Sequence, residues 1–272
     1  MMRRLLGVVL LVGVVAAPRL RGQQGDLARE RQEFASWLGS APLSPFAAVA
    51  VQPIGTGLVL GPAEADIPLG GVTRTLVKEE RGAVTLDDGK ARRALPRNTA
   101  VPLGSFRLMV TGTAGRTQLV VYGPVKGAHA PAYYPPALAL SYTVPLEPPE
   151  RKGAFRTLGT DGLETEATEA GFVTVPVAGK PVRLRVYRMG SSDDDEAELQ
   201  LFFRDATNGS ATYPAGRFVT LDPAGGGRYR IDFNRARNPY CAYNSVFPCP
   251  APWPGNTIAA PVTAGEQYRQ SS

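Results

Sequence analysis

The sequence predicts an all-β protein with one short N-terminal helix, and three observations carry that prediction. Short runs of β-branched and aromatic residues recur along the chain, separated by turn residues. Gly (30) and Pro (25) are abundant but aperiodic, which indicates many turns and excludes a collagen-like repeat. Strict two-residue alternation appears at 181–187 and again at 228–233. With 43% hydrophobic and 20% charged residues, the 272-residue chain can bury a core, in one large domain or two small ones.

Residues 1–22 read as a signal peptide. Arg3 and Arg4 precede an uncharged apolar stretch, 5–17, which is the pattern of a secretory n-region and h-region. As a helix that stretch spans about 20 Å, short of the ~30 Å hydrocarbon core of a bilayer. A transmembrane helix in the mature chain is therefore not expected. Small residues at 14–16 offer a cleavage site; an uncleaved N-terminal anchor is the alternative. The expected location is exported: periplasmic, cell envelope or extracellular. Of the formal net charge of +6, four units come from Arg3, Arg4, Arg19 and Arg21. The remainder is ordinary, and no basic stripe remains, so nucleic acid is not expected as a partner.

A helix is predicted over 26–38, capped by Asp26, with Leu27, Phe34, Trp37 and Leu38 near one face. A first β subdomain follows over 46–123, with strands expected at 47–51, 57–60, 65–69, 72–77, 83–86, 106–110 and 118–122. Asp87-Asp88-Gly89 is a hairpin turn, since Asp-Gly supplies positive φ. This spacing of short strands predicts a β-sandwich-like half. Residues 123–136, with four prolines, read as a linker or crossing loop.

The second β subdomain is expected over 137–268. In the strand at 181–187, Val182, Leu184 and Val186 point inward and arginines outward; a second strand is expected at 196–203. The acidic run 193–196 between them lacks the spaced oxygen ligands and central glycine of a calcium loop and reads as a solvated hairpin tip. At 228–235, Tyr229, Ile231 and Phe233 take one face and Arg230, Asp232 and Asn234 the other. Gly225-Gly226-Gly227 precedes a strand, so it is a turn rather than a phosphate loop. Beyond Asn238-Pro239 the prolines forbid sheet interior and helix alike, and the segment should be a wrapped loop.

Cys241 and Cys249 are the only cysteines, and in an exported chain they read as a disulfide, with free thiols as the rival. With a single histidine, His129, a Cys/His zinc site cannot be completed, and no metal or cofactor is expected. His129 stands alone in the linker, which excludes the usual histidine-based hydrolases.

Two resemblances are visible. The sequence Arg204-Asp205-Ala206-Thr207-x-Gly209-x-x-Thr212-Tyr213-x-x-Gly216-Arg217 resembles the signature of a bacterial family, the domain-of-unknown-function family numbered 1684. So do Asp232-Phe233-Asn234-Arg235-Ala236-x-Asn238-Pro239-x-Cys241-Ala242, Cys249-Pro250-x-Pro252, Asn256 and Ala264-Gly265-Glu266. The match is strongest over 201–266, and it implies no established activity. Separately, Leu60-Gly61-Pro62 and Ala65-Asp66-Ile67-Pro68-Leu69 are similar to the opening of forkhead-associated domains, which implies a similar β framework for the first half. Pro62 replaces the arginine that reads phosphate there and the later Ser-x-x-His is missing, so phosphopeptide binding is excluded.

The polar residues of the C-terminal segment are the candidate site. Arg204, Thr207, Thr212, Arg217, Arg230, Asn234, Asn238 and Asn256 are the ligand-binding candidates. Asp205, Asp232 and Glu266 are the carboxylates available for acid/base chemistry. The expected function is an exported protein that binds a small molecule, glycan or envelope component through this segment. The alternatives are a histidine-independent hydrolase using those carboxylates, and a purely structural envelope protein whose carboxylates are closed by arginines. An open polar groove edged by Tyr240, Tyr243 or Trp253 would favour binding.

Overall fold

The computed structural model describes residues 16–190, 197–251, 253 and 255–269, with side chains from residue 25 onward. Residues 1–15 of the expected signal peptide, the acidic run 193–196 and Pro252 of the signature lie outside the described residues. Helix α1 (Ala16–Ser40) begins ten residues before the expected cap, so Asp26 sits inside it. The Leu-, Arg- and Gln-rich residues upstream propagate the helix, and Pro18 falls in its first turn, where a missing N–H costs nothing. Leu27 and Leu38 are buried, while Asp26, Arg29 and Glu33 form exposed ion pairs on the outer side. Among the described residues no helix is long and apolar enough to cross a membrane.

Nine strands build the first half: β1 (Ala48–Pro53), β2 (Leu58–Gly61), β3 (Ile67–Pro68), β4 (Thr75–Glu80), β5 (Ala83–Asp87), β6 (Arg92–Ala94), β7 (Ala100–Leu103), β8 (Phe106–Thr113) and β9 (Arg116–Tyr122). They form a four-stranded sheet in the order β1-β9-β8-β7 and a five-stranded sheet in the order β3-β2-β4-β5-β6. Leu60, Val77 and Leu86 from one sheet pack with Leu108, Leu119 and Val121 from the other, which is the sandwich the spacing predicts. Nothing in this pairing confirms a forkhead-associated framework. Gly89, at φ +80°, closes the expected β5–β6 hairpin. β6 and β7 were not foreseen: Arg92-Arg93-Ala94 has no apolar alternation, and Pro102 interrupts β7, so only backbone pairing with neighbours defines them.

The second half is one seven-stranded sheet built from β10 (Ser141–Pro145), β11 (Ala154–Leu158), β12 (Glu164–Val177), β13 (Lys180–Met189), β14 (Glu198–Phe203), β15 (Arg217–Gly225) and β16 (Arg228–Asp232). Its order is β10-β16-β15-β14-β13-β12-β11. The alternation now has a consequence. Leu184, Val186, Leu199, Leu201, Phe203, Val219, Leu221 and Ile231 all face one side, where Ile258, Val262 and Ala264 of the C-terminal tail cover them. The opposite face carries Phe202, Phe218, Gln200, Thr220, Glu198 and Asp222, apolar toward one end and polar toward the other. The chain is mostly strand, in three sheets with one N-terminal helix, as the sequence predicts.

The long strand β12 carries a bulge between Glu169 and Gly171. Gly171 sits at φ +142°, with Glu147 O where a Cβ would stand, and Glu147 and Phe172 exchange backbone hydrogen bonds at 2.7 and 3.1 Å. A side chain there meets both a disfavoured φ and a backbone carbonyl. Gly171→Val is expected to lower stability by roughly 2–4 kcal/mol. Urea denaturation would read this as a fall in midpoint, and an unchanged midpoint would remove the bulge from the list of constraints.

Candidate functional site

The polar residues of the C-terminal segment divide into separate networks. The first centres on Arg217, whose side chain has no exposure. It donates to Asp205 Oδ2 at 2.7 Å, Val262 O at 2.9 Å, Ala264 O at 2.5 Å and Glu266 O at 3.2 Å. Asp205 Oδ1 in turn accepts from Thr207 N at 2.8 Å, Thr207 Oγ1 at 2.6 Å and Val262 N at 3.2 Å. Thr212 Oγ1 lies 2.8 Å from Thr207 Oγ1. The tail 258–266 is irregular, so its carbonyls lack ladder partners, and Arg217 supplies donors that water would otherwise provide.

The second network is the row on β16. Asp232 takes Arg230 at 2.8 Å and Arg235 at 2.8 Å, and Arg235 also forks onto Glu30 of α1 at 2.7 and 2.8 Å. Asn234 bonds Asp232 and both backbone groups of Ala137. This row faces α1 and the segment before β10; no hydrogen bond joins it to Arg217 or to the Glu266 side chain among the described residues. Asn256 stands apart again. Buried where β13 and β14 part beyond their paired residues, its amide accepts from Arg185 N and donates to Arg185 O and Phe202 O, replacing a strand partner. Arg204 contributes backbone to a bridge with Thr257, and its side chain is exposed.

Glu266 is different in kind. It is 1% exposed, lies in no ion pair among the described residues, and accepts from Asn238 N at 3.0 Å and from Tyr243 Oη at 2.5 Å. Burial pushes its carboxyl up to about 7, against the lowering effect of those two hydrogen bonds. Burial likewise raises Tyr243, and the nearby Glu266 charge raises it further. Asn238, 2% exposed, donates to Gln267 O, yet its Oδ1 finds no donor. Cys241 and Cys249 are disulfide-bonded, Cα–Cα 5.5 Å, and Tyr213 Oη lies 3.3 Å from each sulfur. Trp253, expected as a groove edge, is instead buried against Tyr187, Phe202 and Phe218.

The open concavity is on the polar face of the seven-stranded sheet, and the sequence reading did not single out most of its lining. It has a volume of about 640 Å³ and is walled by Asp161 with its loop, Glu198 and Gln200 of β14, Thr220 and Asp222 of β15, Arg237, Tyr240 and Phe34 of α1. Thr160 donates to Gln200, and Gln200 donates to Glu198 at 3.0 Å. Burial raises the Asp161 carboxyl, opposed by its hydrogen bond from Leu163 N. Arg237 lies 4.0 Å over the Phe34 ring. Of the binding and acid/base candidates named from sequence, only Asn238 lines this cleft, joined by Arg235 of the signature and by Tyr240; Asp232 and the others lie beside or beneath it. Arg237 occupies a position that the signature leaves open, and Glu198, Thr220 and Asp222 look like ordinary solvent-facing strand residues. Among the described residues no three of His, Cys, Asp and Glu come together to hold a metal ion.

The family model described as "Protein of unknown function (DUF1684)" matches residues 129–267, half of the chain. The chain belongs to this family. The DUF1684 segment holds the whole seven-stranded sheet and every cleft residue except Phe34; α1 and the sandwich precede it. The solution NMR structure of an uncharacterized protein of Haloarcula marismortui is 26% identical, covering 53% of this chain and 79% of that one, with a TM-score of 0.46. No curated protein matches the chain.

Two outcomes follow for the DUF1684 networks. Arg217→Met should cost roughly 3–5 kcal/mol, because it strands the buried Asp205 carboxylate; a urea midpoint unchanged from wild type would contradict this. For Glu266, the folded-state value lies above the ordinary 4.5, so the folded protein binds the extra proton between pH 4.5 and 7. Stability from this group is therefore full below pH 4.5, falls as pH rises toward 7, and levels off above. Glu266→Gln should flatten that slope in denaturation free energies measured from pH 4 to 8, and an identical slope in both proteins would assign it elsewhere.

Proposed function

We propose that this DUF1684 protein binds a small polar ligand in the cleft on the outer face of its seven-stranded sheet. The observation that carries the reading is the cleft's lining. Carboxylates, two arginines, amides and hydroxyls converge on a concavity of about 640 Å³, beside the aromatic rings of Phe34 and Tyr240. That volume falls in the usual range for small-molecule sites, where a few placed polar groups fix orientation. The polar C-terminal segment supports the site from behind, with Arg235, Asn238 and Tyr240 delivered by the loop that follows β16. The basic and apolar start of the chain, together with the disulfide, supports export to the periplasm, cell envelope or extracellular space. In that compartment a glycan fragment or other envelope component is among the ligands available. The boundary between the two β subdomains is proposed at 123–136, where the sandwich core ends and the core of the larger sheet has yet to begin.

A histidine-independent hydrolase is the second reading, and one observation favours it: burial raises the carboxyl of Asp161, which lines the cleft, as a general acid would require. Asp205 and Asp232 support it less, since arginines already hold them. The purely structural reading explains those ion pairs and leaves the cleft without a role.

The test is a thermal-shift screen of the protein against sugars, amino acids, short peptides and nucleotides, repeated on Thr220→Trp. Thr220 is exposed on β15, so the indole fills the cleft while unliganded stability stays within about 0.5 kcal/mol. Compounds that shift wild type should not shift the variant. A shift that survives the indole would place the binding site elsewhere.

A further inference from the structure

The two ends of the cleft differ in charge, and that difference names a ligand class, on the premise that the cleft is the binding site. At one end the backbone of Arg237 pairs with Phe218, N to O 2.8 Å in both directions. Its guanidinium is steered by the Phe34 ring and meets no carboxylate within ion-pair distance among the described residues. Beside it Asn238, almost wholly buried, holds an Oδ1 without a donor. The neighbouring Arg235 is not available in the same way, because Glu30 and Asp232 already occupy its donors.

At the other end are two carboxylates. Gln200 pairs with Thr220 in the β14–β15 register, so Glu198 and Asp222, each two residues further out, lie side by side on the same face. Both are exposed; Glu198 accepts from Gln200 alone, and Asp222 forms no side-chain hydrogen bond or ion pair among the described residues. From Phe218 to Asp222 the strand advances roughly 13 Å, at about 3.3 Å per residue. That span accommodates the roughly 10 Å of an extended tripeptide.

We infer that the cleft takes a zwitterion, a short peptide whose carboxylate pairs with Arg237 and whose ammonium group sits between Glu198 and Asp222. Although Arg230 stands opposite Asp222 in the register, a polyanion would meet two carboxylates at the Glu198–Asp222 end, and a neutral sugar would leave the Arg237 guanidinium without a direct ion pair.

Isothermal titration calorimetry of the whole chain with tri-alanine, its N-acetyl form, its C-terminal amide and glucose tests this. Tri-alanine should bind, and each capped form should bind at least tenfold more weakly. Arg237→Gln should erase the difference between free acid and amide while keeping that between free amine and N-acetyl. Asp222→Asn, at an exposed strand position, should weaken discrimination at the amine, and it carries the test alone should the arginine variant fail to fold. Equal binding of the three peptides, binding of glucose alone, or no heat with any of the four overturns the inference. The cleft reading fails separately, if a compound that binds wild type binds Thr220→Trp equally well.

Discussion

A guanidinium with no exposure holds the second half of this protein together. The tail that covers the larger core contributes Ile258, Val262 and Ala264, but it runs as irregular chain whose carbonyls would be unpaired in an apolar interior. Arg217 reaches three of those carbonyls from β15 and stands beside the Phe203 ring, with Asp205 neutralising its charge. Desolvating such a pair is costly, and the arrangement is tolerable because four hydrogen bonds engage the two terminal nitrogens of the guanidinium and three satisfy the carboxylate's other oxygen, which leaves only Nε without a partner among the described residues. The apolar tail residues can be buried only because this ion pair is also there. Glu266, fixed at the end of the same tail, then orders Asn238 and Tyr243, and so the loop that walls the cleft.

The seven-stranded sheet separates two tasks by its pleat. Odd positions of β14 and β15 enter the core, and even positions face outward, so a single register sets both the packing and the row Phe218, Thr220, Asp222 beside Phe202, Gln200, Glu198. The outward face is closed at one end by Trp253 packing on Phe202 and Phe218, and left open at the other. Polar groups survive at that open end because α1 and the 159–161 loop roof it without sealing it.

Much of this architecture is legible in the residues themselves. Alternation at 181–187 and 228–233 identifies β13 and β16 with the correct faces, and the glycines at 226 and 227, both at positive φ, make the turn the sequence demands. The helix starts ahead of Asp26, which resembles a cap, because the residues before it also favour helix. In the C-terminal segment the residue types were legible but their partners were not. Asp232 finds Arg230 two positions away, whereas Arg235 finds Glu30 at a separation of 205 residues, which no local pattern announces. The cleft was the least legible part. Glu198 and Asp222 become neighbours only through the β14–β15 register, and each taken alone is an unremarkable solvent-facing acid.

The docking of α1 ties the helix before the sandwich to the loop that follows the last strand. Phe34 and Trp37 stack on one another and pack on Tyr243 and Tyr240, Arg31 lies over Tyr133 and donates to Asn234 O, and Glu30 holds Arg235. Apart from Tyr133, about a hundred residues on, these partners outside the helix do not exist for a growing chain until some two hundred further residues have been made. The helix must therefore wait, amphipathic and unsheltered, while the sandwich assembles on its own short-range hairpins. The larger sheet, whose covering tail comes last of all, closes over it only at the finish. Such a polypeptide matures by a late clasp of its two extremities, and trimming either one would leave the other without a seat.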